Sequence, residues 1–241
     1  MDFGASLDGF NTSKNKDWGD VNSSLKDWLD KGRESALLGL KRDFLDGQDV
    51  LIGGNPDDCI AFNHQQGDNV LGFNGTCGLV SCEDVMKQHG LNVSENDVVW
   101  HALEHGECNF DSNPDFAGGT TPFDQVEILK DYGIDAKVEV GQNIYDLANT
   151  IESGKSAIIF VNAGVLWDDP RAYGTGESNH AIVPTGVVRD GHDLSKIIGF
   201  YINDSGTGVS KEFVPVQKFE EMWLRNGAGI AVTTFNQHPK F

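Results

Sequence analysis

Between residues 77 and 235 the spacing of apolar residues changes once, from a helical to a strand period, and this order restricts the fold more than any other feature. Four helical stretches come first. "CGLVSCEDVMKQHG" places Leu79, Val80, Cys82, Val85 and Met86 on one stripe, with Gly90 where a left-handed terminal residue belongs. "SENDVVWHALEHG" has Ser94 as its cap and Gly106 as its stop. "GGTTPFDQVEILKDYG" has Thr121 as cap, Pro122 as first helical residue and Asp124 in the capping-box place, and "NIYDLANTIESG" is the fourth. The stretches "SAIIFVN", "HAIVPTGVV", "KIIGFYIN" and "AGIAVTTF" then read as strands rich in Val, Ile and aromatics, with "VPVQKFEEMWLRNG" a short strand and a helix. Helices first and strands after predict an α+β fold, a helical half packed on an antiparallel sheet.

Residues 1–55 read as a separate N-terminal appendage, helical and partly disordered. "VNSSLKDWLDKGRESALLGLKRDFL" carries Leu25, Trp28, Leu29, Leu37, Leu40 and Phe44 near helical spacing, with Ser23 or Ser24 as cap. "GGNPDD" at 53–58 reads as the linker to a main domain over 56–241.

Lys plus Arg number 18 against 37 Asp plus Glu in 241 residues, a net charge of −19 that repels phosphate backbones and anionic lipid. Nucleic acid is therefore not an expected partner. Nor is membrane insertion expected, because no run approaches the ~18 apolar residues of a spanning helix. The opening "MDFGASLDGFNTSKNKDWGD" has neither a basic start nor an apolar core, so no secretory signal is read there. The expected location is outside the cell by another route, or the cytoplasm.

Four cysteines (Cys59, Cys77, Cys82, Cys108) at irregular spacing suit neither a disulfide scaffold nor a zinc ribbon. Cys77 stands at a helix start, where unpaired N–H groups and the helix dipole favour a thiolate, with Gly75 and Gly78 allowing close backbone approach. The competing reading is a small buried apolar residue. His180 opens an apolar strand after a Gly-rich loop, which suits either a catalytic base or an edge histidine facing solvent. "GFYINDSGTG" closes the next strand with Asn203 and Asp204, of which only one can face His180; the same residues also make an ordinary turn. Taken together, cysteine, histidine and carboxylate in this order form a coherent triad.

These stretches, "NGTCGLVS", "NHAIVPTGVV", "GFYINDSGTG" and "FVPVQKFEEMWLRNG", resemble the papain-like cysteine peptidases of the C39-like, bacteriocin-processing type over residues 60–236. The resemblance implies a papain-like fold, Cys77 as nucleophile, His180 as general base and acid, and Asp204 as the orienting carboxylate. It implies no cofactor and no catalytic metal, and a protein or peptide substrate. Domains of this type occur in exported bacterial toxins and effectors, which implies a cognate immunity or delivery protein as a further partner. One departure stands out. The family's oxyanion glutamine lies about six residues before the cysteine, where this chain has Leu71. Gln66, the Asn74 side chain and the Cys77 backbone N–H are the replacements, and loss of such a donor costs about 3 kcal/mol in the barrier.

Four other readings compete. The same triad could deamidate glutamine or transfer an acyl group. "HALEH" matches the inverted zinc-peptidase motif, with His101 and His105 as ligands, Glu104 as base and Cys108 close by. A non-catalytic peptide-binding module is the last. The stretch before His180 reads either as a mobile loop over the cleft, with Trp167 lining a substrate pocket, or as a long surface loop.

Overall fold

The structure, a computed structural model, describes residues 39–239. In chain order the elements are β1 (Lys41–Leu45), β2 (Gln48–Gly54), α1 (Cys77–Gln88), α2 (Glu95–His105), α3 (Pro122–Asp131), β3 (Ala136–Glu139) and α4 (Ile144–Glu152). They continue as β4 (Ala157–Val161), α5 (Ala163–Leu166), β5 (His180–Asp190), β6 (Ile197–Asp204), β7 (Val209–Pro215), α6 (Val216–Glu220) and β8 (Ala231–Thr234). The architecture is α+β, as the helix-then-strand order predicts.

Capping follows the sequence closely. Ser94, Thr121 and Asn143 each form a reciprocal capping box with an aspartate three residues on, at Asp97, Asp124 and Asp146. Gly106 ends α2 in the left-handed conformation with φ 73°.

The sheet runs β1-β2-β5-β4-β8-β3, with β6 and β7 on the other edge of β5. The long strand β5 is its axis. His180–Ile182 pairs antiparallel with β4, Gly186–Asp190 with β2, and the span from Val183 to Arg189 with β6. Neighbouring residues on these strands enter different cores. Ile158, Ala181, Val183 and Val232 pack with Leu79, Val85, Met86, Val98 and Ile128 of α1, α2 and α3. Ile159, Val161 and Ile182 pack with Leu147 and Ile151 of α4 and with Phe219 and Trp223. The central strands are thus buried on both faces, which is why they read as continuous apolar runs.

The boundary expected at residue 55 is corrected by the structure, and so is a helix reaching Phe44. The compact unit starts at Arg42, and residues 41–54 form a β-hairpin whose second strand pairs with β5. Val50, Leu51 and Ile52 are buried. The cause lies in Asp46-Gly47, both at positive φ (50° and 82°), the two-residue turn that suits a twisted hairpin. The supposed linker glycines close this strand instead. A side chain at Gly54 would press on the Thr185 carbonyl at 2.6 Å. The rest of the expected appendage, residues 1–38, lies outside the described residues.

Candidate active site

Thr76 and Cys77 mark the point where an irregular segment turns into α1. Cys77 is the first helical residue, with no acidic side chain in the first turn to neutralise the positive end of the helix. His180 is the first residue of β5 and Asp204 the last of β6. Antiparallel pairing, with Val183 opposite Asn203, sets the start of one strand beside the end of the other. All three groups therefore sit on the ends of regular elements, held by the sheet and by the packing of α1 on β5.

His180 Nε2 lies 2.6 Å from Asp204 Oδ1, and both residues are buried. That bond leaves Nδ1 for Cys77, whose side chain bonds to His180. Burial alone pushes the Cys77 thiol up. The His180 hydrogen bond and charge, with the backbone N–H groups of Ala181 and Gly78, outweigh it and hold the thiol below its ordinary value. Burial likewise lowers His180, but Asp204 and Cys77 overcome it and raise the imidazole to about 9. The two shifts run in opposite senses, the thiol lowered and the imidazole raised, as a charged thiolate–imidazolium pair requires.

Asp204 is held from every side. Its Oδ1 also accepts from the Gly206 N–H at 2.9 Å, and its Oδ2 accepts from Trp167 Nε1 and Thr207 Oγ1, each at 2.8 Å. Burial raises this carboxyl, and the His180 hydrogen bond and charge bring it below the usual range. The indole of Trp167 also lies against the His180 ring, centroids 5.1 Å apart. Trp167 thus holds both Asp204 and the His180 ring in place. The short helix α5, capped by the Asn162 side chain on the Val165 N–H, fixes the indole there. Gly206 is glycine for a packing reason, because a side chain there would run into the Trp167 ring.

The other candidates separate clearly. Gln66 sits between the two halves of the site: its N–H donates to the Ser205 carbonyl at 2.8 Å, and Nε2 donates to the Asn74 carbonyl at 2.5 Å. The segment between Gln66 and Cys77 does loop out, so sequence distance is no obstacle. The Asn74 side chain is exposed and donates to Asp115 Oδ1 at 2.9 Å. Asn203 is corrected. Its amide points to the other face of β6, donating to the Cys59 carbonyl (2.9 Å) and Asp84 Oδ2 (2.7 Å).

Glu95 escaped the sequence reading. It is buried at the start of α2 and accepts from the Gly67 and Asp68 N–H groups, Asn69 Nδ2 and Thr76 Oγ1, all within 2.7–2.9 Å. One carboxylate thus organises the loop that leads to Cys77. The sequence shows only an acidic residue after a helix cap, which is common. His101 and His105 are brought together with Asp131 of α3 and share no residue with the triad.

The remaining cysteines behave oppositely to Cys77. Burial and then Asp84 raise Cys59; burial and then Glu107 raise Cys82; burial and then Asp124 raise Cys108 to about 11.

No protein-family model and no curated protein matches the sequence. Among the solved structures similar to it are two peptidase-type proteins. The crystal structure of a protein assigned as a C39-like peptidase from Bacillus anthracis aligns at TM-score 0.46 and 20% identity, over 69% of this chain and 91% of that one. A double glycine motif protease from an AMS/PCAT transporter, solved with its leader peptide, aligns at TM-score 0.43 and 18% identity, over 66% and 84%.

Proposed function

We propose that this chain is a papain-like thiol hydrolase that cleaves a peptide or isopeptide bond through Cys77, His180 and Asp204. The observation that carries the reading is the inverted acidity of one pair: a buried thiol held low and a buried imidazole held high, with Asp204 on the far ring nitrogen. That arrangement is what nucleophilic thiol chemistry requires.

In this reading the Cys77 thiolate attacks the substrate carbonyl carbon and the C=O electron pair moves to oxygen. The Cys77 backbone N–H and the second Gln66 amide hydrogen stabilise that oxyanion. Collapse breaks the C–N bond, and the His180 Nδ1 proton passes to the leaving amine. Water then attacks the thioester, giving its proton to His180, and the carboxylic acid leaves with the thiolate restored. Asp204 keeps its charge throughout and fixes the ring. Deamidation of glutamine and acyl transfer share the same thioester and differ in the leaving or attacking amine. An exported toxin or effector role, with an immunity or delivery partner, belongs to the same proposal. Among the described residues no helix is long and apolar enough to cross a membrane.

Iodoacetamide labelling across pH 5 to 9, read by mass, tests the pair on wild type and His180→Ala. Cys77 labels fast at pH 6 in wild type and slows without His180, while Cys59 and Cys82 stay slow in both. A Cys77 that labels no faster than Cys59 sinks the proposal.

A further inference from the structure

At the ends of α2 and α3 a second cluster of ligand-type side chains lies outside the triad. His101 and His105 are one helical turn apart, and Asp131, the last residue of α3, faces them, with a ligand atom from each within 4.8 Å of the others. Left-handed Gly106 turns the chain back, so that Glu107 joins the same space. His101 Nε2 is 3.2 Å from Asp131 Oδ2 and 3.6 Å from Glu107 Oε2. These are ion-pair distances, yet His101 Nε2 and Glu107 Oε2 are both buried and make no hydrogen bond. Buried polar atoms in that state are costly unless something sits between them.

We propose that this cluster binds one Zn2+ ion, or a similar late first-row divalent cation, as a structural clamp between α2 and α3. Three features support the site. The 3.2 Å separation of His101 Nε2 from Asp131 Oδ2 is near the about 3.4 Å edge of a tetrahedron built on Zn–N and Zn–O bonds of about 2.1 Å. The stacked His101 and His105 rings, centroids 4.1 Å apart, need only a turn of the His101 ring to aim both lone pairs at one ion. His105 Nδ1 lies 2.8 Å from the His101 carbonyl, which fixes that nitrogen as the N–H and leaves Nε2 a lone pair for metal. Two imidazoles and one carboxylate also form a borderline donor set suited to zinc. Three protein ligands, His101, His105 and Asp131, tie α2 to α3 and leave the fourth position to water or to Glu107 after a side-chain shift. Glu104 is exposed and is not one of the clustered ligands, so the "HALEH" stretch supplies a clamp and not a zinc-peptidase centre.

Calorimetric titration of the full chain with ZnCl2 tests this in a Cys77→Ala background, which removes the reactive thiolate as a rival ligand. One Zn2+ per chain is expected, with affinity falling at least about tenfold in His105→Gln and again in Asp131→Asn. Co2+ should give a tetrahedral visible spectrum with no thiolate-to-cobalt charge-transfer band. Failure of the Cys77→Ala chain to take up zinc overturns the site and leaves a proton as what separates these groups. Uptake unchanged by both His105→Gln and Asp131→Asn overturns it as well. A charge-transfer band would put Cys108 in the sphere and overturn the donor set.

Discussion

Two clusters meet at the end of β6, on its two faces. One brings Cys77, His180 and Asp204 together; the other brings the Cys59 segment, Asn203 and Asp84 together. Each has a buried carboxylate that accepts hydrogen bonds at ordinary distances, and each has a cysteine close by. Yet the acidities run in opposite senses. Asp204 and Cys77 are held below their usual values, while burial raises Asp84 to about 6, above what Asn203 and Gln88 can offset, and raises Cys59 further. The difference is one residue. His180 can carry a positive charge and Asn203 cannot, so burial is overcome on one face and wins on the other. Hydrogen bonds alone do not bring the buried carboxyl of that second face below its usual value.

The sharpest way to break this comparison is His180→Asn, which gives both faces the same Cys-Asn-Asp composition. Loss of the proton carrier should lower kcat/KM by roughly a thousandfold. Iodoacetamide labelling of Cys77 at pH 6 should fall to the rate of Cys108. A variant that keeps a tenth of its activity would mean that the imidazolium is not what separates the two faces.

Asp204→Asn sharpens the same point from the other side. The amide can still orient the ring, but the charge that helps raise His180 to about 9 is gone. Activity is lost as pH rises through the imidazolium pKa, so the alkaline limb of the kcat/KM profile should move to lower pH by about one unit or more. The expected loss at neutral pH is roughly tenfold. An alkaline limb that stays in place would show that Asp204 orients the ring without tuning it.

How far the sequence carried depends on whether a signal is local. The four helices, their caps and the central strands are written in spacing and in residues such as Ser94, Thr121 and Gly106, and the structure follows them. The order of Cys77, His180 and Asp204 was legible because each sits at an element's end, where periodicity stops. The choice between Asn203 and Asp204 was not, since a one-residue shift in strand phase reverses it. Asp46-Gly47 carried a hairpin signal, but the apolar residues flanking it also fit a helical stripe through Leu40 and Phe44. Glu95, Trp167 in its contact with Asp204, and Asp131 were hidden for a different reason. Each acts on residues 19 to 37 positions away, and no local pattern encodes such a contact.

The smallest effect on activity, and the most direct test of the Asn203 face, comes from Asp84→Asn. Asp84 Oδ2 accepts from Asn203 and Oδ1 from Gln88 Nε2 at 2.9 Å, while Gln88 Oε1 in turn accepts from Ser156 Oγ at 2.6 Å. An amide at position 84 is accommodated by rotating the Gln88 amide, because the Ser156 hydroxyl can accept as well as donate. The substitution therefore leaves no donor facing a donor. With its folded pKa near 6 against an ordinary 3.8, the wild-type carboxyl keeps its proton in the native state while the unfolded chain has released it. The native state binds more protons in that window, so stability must fall as pH rises from about 4 to about 6 and stay lower above it, by on the order of 3 kcal/mol. Asp84→Asn should remove that fall. Urea unfolding should find the variant close to wild type at pH 4 and more stable at pH 8, with kcat/KM within about twofold throughout. A variant less stable than wild type at pH 8 would mean that Asp84 is held as a carboxylate, and that the two faces of β6 are more alike than their acidities suggest.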